Sequence, residues 1–187
     1  FRRVLFRSKG TFGTVGVIGG CAGERMMIGS PALTALGALR GGCGLAVIAA
    51  PEPVLASILE IAFEATGVAL PTDESGGLLA SAAAELIDLH LASARVLAVG
   101  PGLGPGEAVR QLVLRLVTRE EQPLVLDADA LNALAGCDEL QRDFRAPAIL
   151  TPHPGEYARL ARGLGLDPEP SGDAADRKST RLNSSHA

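Results

Sequence analysis

Short runs of almost unbroken Val, Ile, Leu and Ala set the strongest limit on what this chain can fold into. They lie at Thr14–Ile18, Leu45–Ala49, Arg95–Val99, Leu124–Leu126 and Ala148–Leu150. None alternates polar with apolar, as a strand with one wet face would. Continuous apolar runs of this length belong to strands covered on both faces. Between them lie segments with helical periodicity: Pro31–Leu39, Pro53–Phe63, Leu78–Leu91, Glu107–Thr118, Ala130–Leu134 and Gly155–Arg162. A further short strand is expected at Val68–Leu70. Strand–helix alternation of this kind predicts an α/β fold with a doubly wound, mostly parallel sheet. Right-handed crossovers would place helices on both faces.

The chain has 187 residues, enough for one domain with a real core. Its charge is informative once located. Six of the 17 basic residues sit in Phe1–Ser8 or from Arg177 onward, leaving 11 against all 21 acidic residues between them. An acidic body without a basic stripe argues against nucleic-acid binding. With 3% aromatics and no Trp, a base-stacking platform is absent too. Charges interrupt every long apolar stretch, which argues against a membrane span. Cys21, Cys43 and Cys137 have no zinc-type spacing and read as reduced thiols of a cytoplasmic protein.

Both ends differ from the body. Residues 1–8 read as a non-native leader, 9–166 as the domain, and 167–187 as a disordered or non-native tail.

In an open α/β sheet, ligands bind beyond the carboxyl ends of the strands. The special residues of this sequence gather there. Gly19-Gly-Cys-Ala-Gly23 follows the first strand, and Gly100-Pro-Gly-Leu-Gly-Pro-Gly106 follows the run ending at Val99. Asp127-Ala-Asp-Ala-Leu-Asn132 and Thr151-Pro-His-Pro-Gly-Glu156 follow the last two. The Gly100–Gly106 turn is the clearest anion-binding candidate, since glycines admit a ligand close to the backbone ahead of a helix N-terminus. It lacks the Gly-Lys-Ser/Thr of a Walker loop and does not match GxGxxG. Asp129 reads as a helix N-cap. Asp127, at a strand tip, suits a polar ligand or a magnesium-bound phosphate reached through water. His153 stands in a loop stiffened by two prolines, with Thr151 and Glu156 beside it. Glu156 also falls in the first turn of a helix, where the macrodipole favours an acid. His90 reads as an ordinary helix residue. No Gly-x-Ser-x-Gly elbow is present.

The order of these turns resembles the ADP/ATP-dependent NAD(P)H-hydrate dehydratases, which have a ribokinase-like fold. The matching segments are Lys9-Gly-Thr-Phe-Gly13, Ala38-Leu-Arg-Gly-Gly-Cys-Gly-Leu45, Gly100-Pro-Gly-Leu-Gly104, Asp127-Ala-Asp-Ala-Leu-Asn132 and Thr151-Pro-His-Pro-Gly-Glu156. The resemblance implies repair of hydrated NADH or NADPH. ADP or ATP with Mg2+ phosphorylates the ring hydroxyl, and phosphate then leaves. It further implies that Ser30, Gly102, Gly104 and His153 contact the hydrated dinucleotide, and that Asp127, Asn132 and Glu156 organise phosphates and magnesium. Ser30 stands in Gly29-Ser-Pro31 where the family often has Gly-Ala-Ala. A homo-oligomer and a fused or separate NAD(P)H-hydrate epimerase are compatible with the same resemblance.

The family continues with a Lys-Gly strand and a Gly-Asp turn that carries the catalytic aspartate. Nothing after Leu166 matches either, and Gly172-Asp173 has no flanking strand or helix. The fold is therefore expected to be incomplete at its C-terminus, with no catalytic Asp and little turnover. Two other readings stand beside this one. One is a ribokinase-like small-molecule kinase, of the hydroxyethylthiazole or phosphomethylpyrimidine type. The other is a non-enzymatic dinucleotide-binding domain.

Overall fold

The computed structural model describes residues 9–137 and 143–166. The expected leader and tail lie outside the described residues. The elements in chain order are α1 (Lys9–Phe12), β1 (Thr14–Ile18), α2 (Gly29–Arg40), β2 (Leu45–Pro51), α3 (Glu52–Ile61), β3 (Thr66–Leu70) and α4 (Ala80–Leu91). They continue with β4 (Val96–Val99), α5 (Glu107–Val117), β5 (Leu124–Leu126), α6 (Asp129–Ala135), β6 (Ala148–Leu150) and α7 (Pro154–Gly163).

The strands form one sheet in the order β3-β2-β1-β4-β5-β6, and every paired strand is parallel. The expected doubly wound α/β sheet is therefore what forms. The chain winds outward through β2 and β3, then returns to start again at β4. The reversal lies between β1 and β4, which pair from Val15↔Val96 to Ile18↔Val99. A crevice opens at such a reversal because the loops above the two strands turn apart.

Successive strand residues feed opposite cores. Val17, Ile48 and Ala50 pack with Ala32, Ala35, Val54 and Ile58 of α2 and α3. Ile18, Val47, Ala49, Leu97 and Val99 pack with α4, α5 and α6 on the other face. This two-sided burial removes the polar–apolar alternation from β1 and β2. It stops short of the sheet's edges. β3 shows an exposed pattern over most of its length. In β6, Ile149 is 62% exposed although Ala148 is buried. The expectation of two covered faces thus holds for the centre and fails at the two edges.

Local details refine several boundaries. The helix expected from Leu78 begins at Ala80, because Leu78 bridges Thr72 and the Leu79 N–H donates to the Pro71 carbonyl at 3.0 Å. β2 runs on through Pro51, at the end of the strand where its missing N–H does no harm. The short α1 has no counterpart among the sequence-predicted helices. His90 is exposed in the last turn of α4.

Candidate active site

The sheet order sets the C-terminal turns of β1, β4, β5 and β6 side by side along one edge. They interlock at backbone level. The Gly20 N–H donates to the Pro101 carbonyl at 3.0 Å, and the Gly100 N–H to the Ile18 carbonyl at 3.1 Å. Gly100 has φ +120°, and a Cβ there would lie 1.8 Å from the Asp127 carbonyl oxygen. Only glycine lets the β4 and β5 turns come this close.

The Gly100–Gly106 turn is pinned at two points. Leu103 is buried in the core and its N–H closes on the Gly100 carbonyl at 3.1 Å. Gly104 gives its N–H to the Asp129 carboxylate at 2.9 Å. That bond corrects the N-cap reading of Asp129. Ala128 is the N-cap residue of α6, and no side chain caps that helix. Asp129 is the first helical residue, and its carboxylate reaches across to a different turn. The cause is the backbone of Ala128, at φ 49°, ψ −116°, the one positive-φ non-glycine among the described residues. With the Ala130 N–H bonded to the Asp127 carbonyl at 3.1 Å, Asp127–Ala130 forms a type II′-like turn, whose first central position favours glycine.

Ser30 opens α2 beside this turn. A Cβ on Gly102 would lie 3.6 Å from that of Ser30 and 3.0 Å from that of Met27. Gly104 faces Cys21 in the same way, at 3.2 Å. The expected substrate contacts Ser30, Gly102 and Gly104 thus share one neighbourhood. A cavity of about 220 Å3 opens next to it, lined among others by Cys21, Arg25, Met27, Leu78, Gly104 and Asp129. Cys21, Arg25 and Met27 carried no sequence signal beyond following a glycine pair. Burial raises the Cys21 thiol above its ordinary pKa. The Met27 amide and Arg25 oppose that shift, and the Asp129 charge adds to it. A raised pKa keeps this sulfur a thiol, and it donates to the Arg25 carbonyl at 3.3 Å.

The β6–α7 loop is organised separately. The Gly155 N–H donates to His153 Nδ1 at 3.0 Å, and the His153 N–H donates to Glu156 Oε2 at 3.0 Å. Together they form a reciprocal capping box for α7. Because Nδ1 accepts, the ring proton sits on Nε2, 3.1 Å from Glu156 Oε1. Glu156 is the one charged residue buried among those described, whereas the His153 side chain is 61% exposed. The ring stands open while its partner is sunk beneath it.

Asp127 and Asn132 lie between these two groups. Thr151 donates its hydroxyl to Asp127 at 2.8 Å, tying the β5 tip to the β6 tip. Asn132 accepts from Arg159 Nε of α7 at 2.9 Å. Among the described residues no group of three or more His, Cys, Asp or Glu side chains could hold a metal ion. A magnesium ion carried on phosphates keeps most of its water and takes one or two carboxylates, a role that Asp127 fits. No described helix is long and apolar enough to cross a membrane. The three cysteines are free.

Comparison with known proteins gives consistent findings. The family model described as NAD(P)H-hydrate dehydratase matches residues 15–183. A bifunctional NAD(P)H-hydrate repair enzyme from Salinibacter ruber is 40% identical over 154 residues, covering 82% of this chain and 28% of the relative. An ADP/ATP-dependent NAD(P)H-hydrate dehydratase from Bacillus subtilis, co-crystallised with ATP and Mg2+, superposes with a TM-score of 0.62 at 29% identity. That match covers 96% of this chain and 56% of the solved one. A ribokinase-like superfamily protein from Enterococcus faecalis shares the fold, with a TM-score of 0.68 at 21% identity over 97% of this chain and 58% of its own. The chain thus spans under a third of the curated relative and somewhat over half of each solved structure.

Proposed function

The chain belongs to the NAD(P)H-hydrate dehydratase family, and from that premise we propose that it serves the nucleotide-dependent dehydration of hydrated NADH or NADPH. The observation that carries this reading is the row of turns at the β1/β4 reversal, where Gly104 and Met27 line one cavity and Gly102 packs against Met27 and Ser30. In this reading Ser30, Gly102, Gly104 and His153 contact the hydrated dinucleotide. Positive-φ glycines admit the ligand close to the backbone. The exposed His153 ring supplies a directed polar contact, aimed by Glu156. Asp127 and Asn132 organise phosphates and magnesium, and Glu156 contributes through the loop that it caps.

The chemistry proposed is a phosphoryl transfer followed by an elimination. The ring hydroxyl oxygen bonds to the terminal phosphorus of ADP or ATP, its proton leaves, and AMP or ADP departs. The ring C–O bond then breaks with loss of a ring proton, releasing phosphate and restoring the ring double bond. Magnesium, when bound, neutralises charge on the transferring phosphate. Positioning and charge stabilisation are what such a site has to supply. A cytoplasmic location, assembly into homo-oligomers and co-operation with a fused or separate NAD(P)H-hydrate epimerase belong to the same proposal.

Thermal shift tests the substrate class. Hydrated NADPH should raise the melting temperature of the chain, and intact NADPH at equal concentration should raise it less. Equal stabilisation by the two would favour a dinucleotide sensor instead. Phosphorylation of a thiazole or pyrimidine alcohol would favour a vitamin-precursor kinase.

A further inference from the structure

We propose that Asp129 is a positioning residue for the substrate-facing backbone of the Gly100–Gly106 turn. This rests on the reading of that turn as part of the dinucleotide site. Gly100, Gly102, Gly104 and Gly106 all have positive φ. A loop so rich in glycine has many conformations to lose on binding, and whatever restrains it beforehand reduces that loss. Leu103 anchors its middle in the core. The stretch nearest the cavity is held by the Asp129 carboxylate, whose bond to Gly104 spans 25 positions of sequence.

Two observations set Asp129 apart from an ordinary acid in a first helical turn. Its carboxylate does not cap α6, because the Gly104 N–H lies on another element. Its placement also depends on Ala128 holding a conformation that an L side chain seldom adopts. Such strain persists where the surrounding structure imposes it, and it gathers at binding and catalytic sites. Here the Asp127–Ala130 turn bond and the Asn132 N–H on the Ala128 carbonyl, at 3.1 Å each, impose it. The strained residue aims the carboxylate, and the carboxylate holds the glycine turn. Asp129 also lines the cavity itself.

The test compares Asp129→Ala with Asp129→Asn in the whole chain. Three quantities are read: melting temperature, affinity for hydrated NADPH, and hydrogen exchange at the Gly104 amide. Asp129→Ala should speed exchange at Gly104 and weaken hydrate binding roughly tenfold, the worth of one charge-assisted hydrogen bond. Asp129→Asn keeps an oxygen acceptor and should recover most of both. A merely structural role would lower the melting temperature of Asp129→Ala and leave hydrate affinity per folded molecule unchanged. That result would overturn the proposal, as would an Asn variant as weak as the Ala variant. A wild-type chain that binds no hydrated NADPH at all would sink the functional reading, and this role with it. Hydrate binding indifferent to Asp129→Ala would sink this role alone.

Discussion

The Gly100–Gly106 turn and the Thr151–Glu156 loop stand on the same edge of the sheet and are held by opposite means. The glycine turn is a tertiary construction. Its neighbours come from β1, from the β5–α6 turn and from Asp129, and of its own side chains Leu103 and Pro101 are buried. The histidine loop is built locally. His153 and Glu156 cap one another three residues apart, and the prolines on either side restrict the backbone. The first loop is accurate only when the rest of the sheet is in place. The second carries most of its geometry in its own sequence.

The sharpest way to break this comparison is Gly100→Ala. A Cβ there meets the Asp127 carbonyl, and φ +120° is closed to alanine. The expected cost is about 4 kcal/mol, at the high end for one substitution. Urea denaturation measures it. Hydrogen exchange should show the damage spreading into the β5–α6 turn. Damage confined to residues 100–106 would mean that the turn is not the shared construction described here.

The corresponding change in the histidine loop is Glu156→Ala. It removes the acceptor for the His153 N–H, one half of the capping box, from a buried position and should cost about 2 kcal/mol, while the Gly155 N–H keeps His153 Nδ1. Its exchange effects should remain within the loop and the first turn of α7. Glu156→Gln, which keeps an acceptor for the His153 N–H, should cost less than half as much.

Ala128→Gly runs the other way. It relieves a strained φ and should stabilise the folded state by about 1 kcal/mol, less the entropy glycine adds to the unfolded chain. A destabilised Ala128→Gly would show that the turn is not under strain.

The smallest expected effect is electrostatic. At the start of α5, Glu107 accepts from Arg110 and Gln111, and these bonds bring its carboxyl down to about 2 from 4.5. A depressed folded-state value stabilises the protein above the unfolded pKa, and that contribution is lost as pH falls from about 4.5 toward about 2. The pair is solvent-exposed, so salt should weaken the effect. Glu107→Gln should flatten the melting temperature over that pH window, with a small loss at pH 7 that disappears as pH falls toward about 2.

The same contrast explains what the sequence made legible. The spans of β1, β5 and β6 coincide with their apolar runs; in the central β1 this follows from burial on both faces, whereas β6 carries an apolar run with one face bare. The histidine loop was legible for a similar reason, since Pro, His and Glu sit within a few residues of one another. What escaped depends on distant partners. Asp129 looks like a cap because Asp at a strand–helix junction usually is one. Its real partner, Gly104, is chosen by a positive φ at Ala128, and an alanine gives no warning of that. A glycine at 128 would have done so. The bareness of Ile149 was hidden as well. Apolar composition signals that a strand can be covered on two faces, and only the helix arrangement decides whether it is.

The most direct measurement is a map of backbone amide shifts as hydrated NADPH is added to the labelled chain. The account predicts that the shifts gather in residues 19–30, 100–106 and 151–156, along the carboxyl edge of the sheet. Shifts centred instead on the outer surface of α4 and α5, where Arg115 donates to Asp88 at 2.6 Å, with the glycine turn silent, would contradict it.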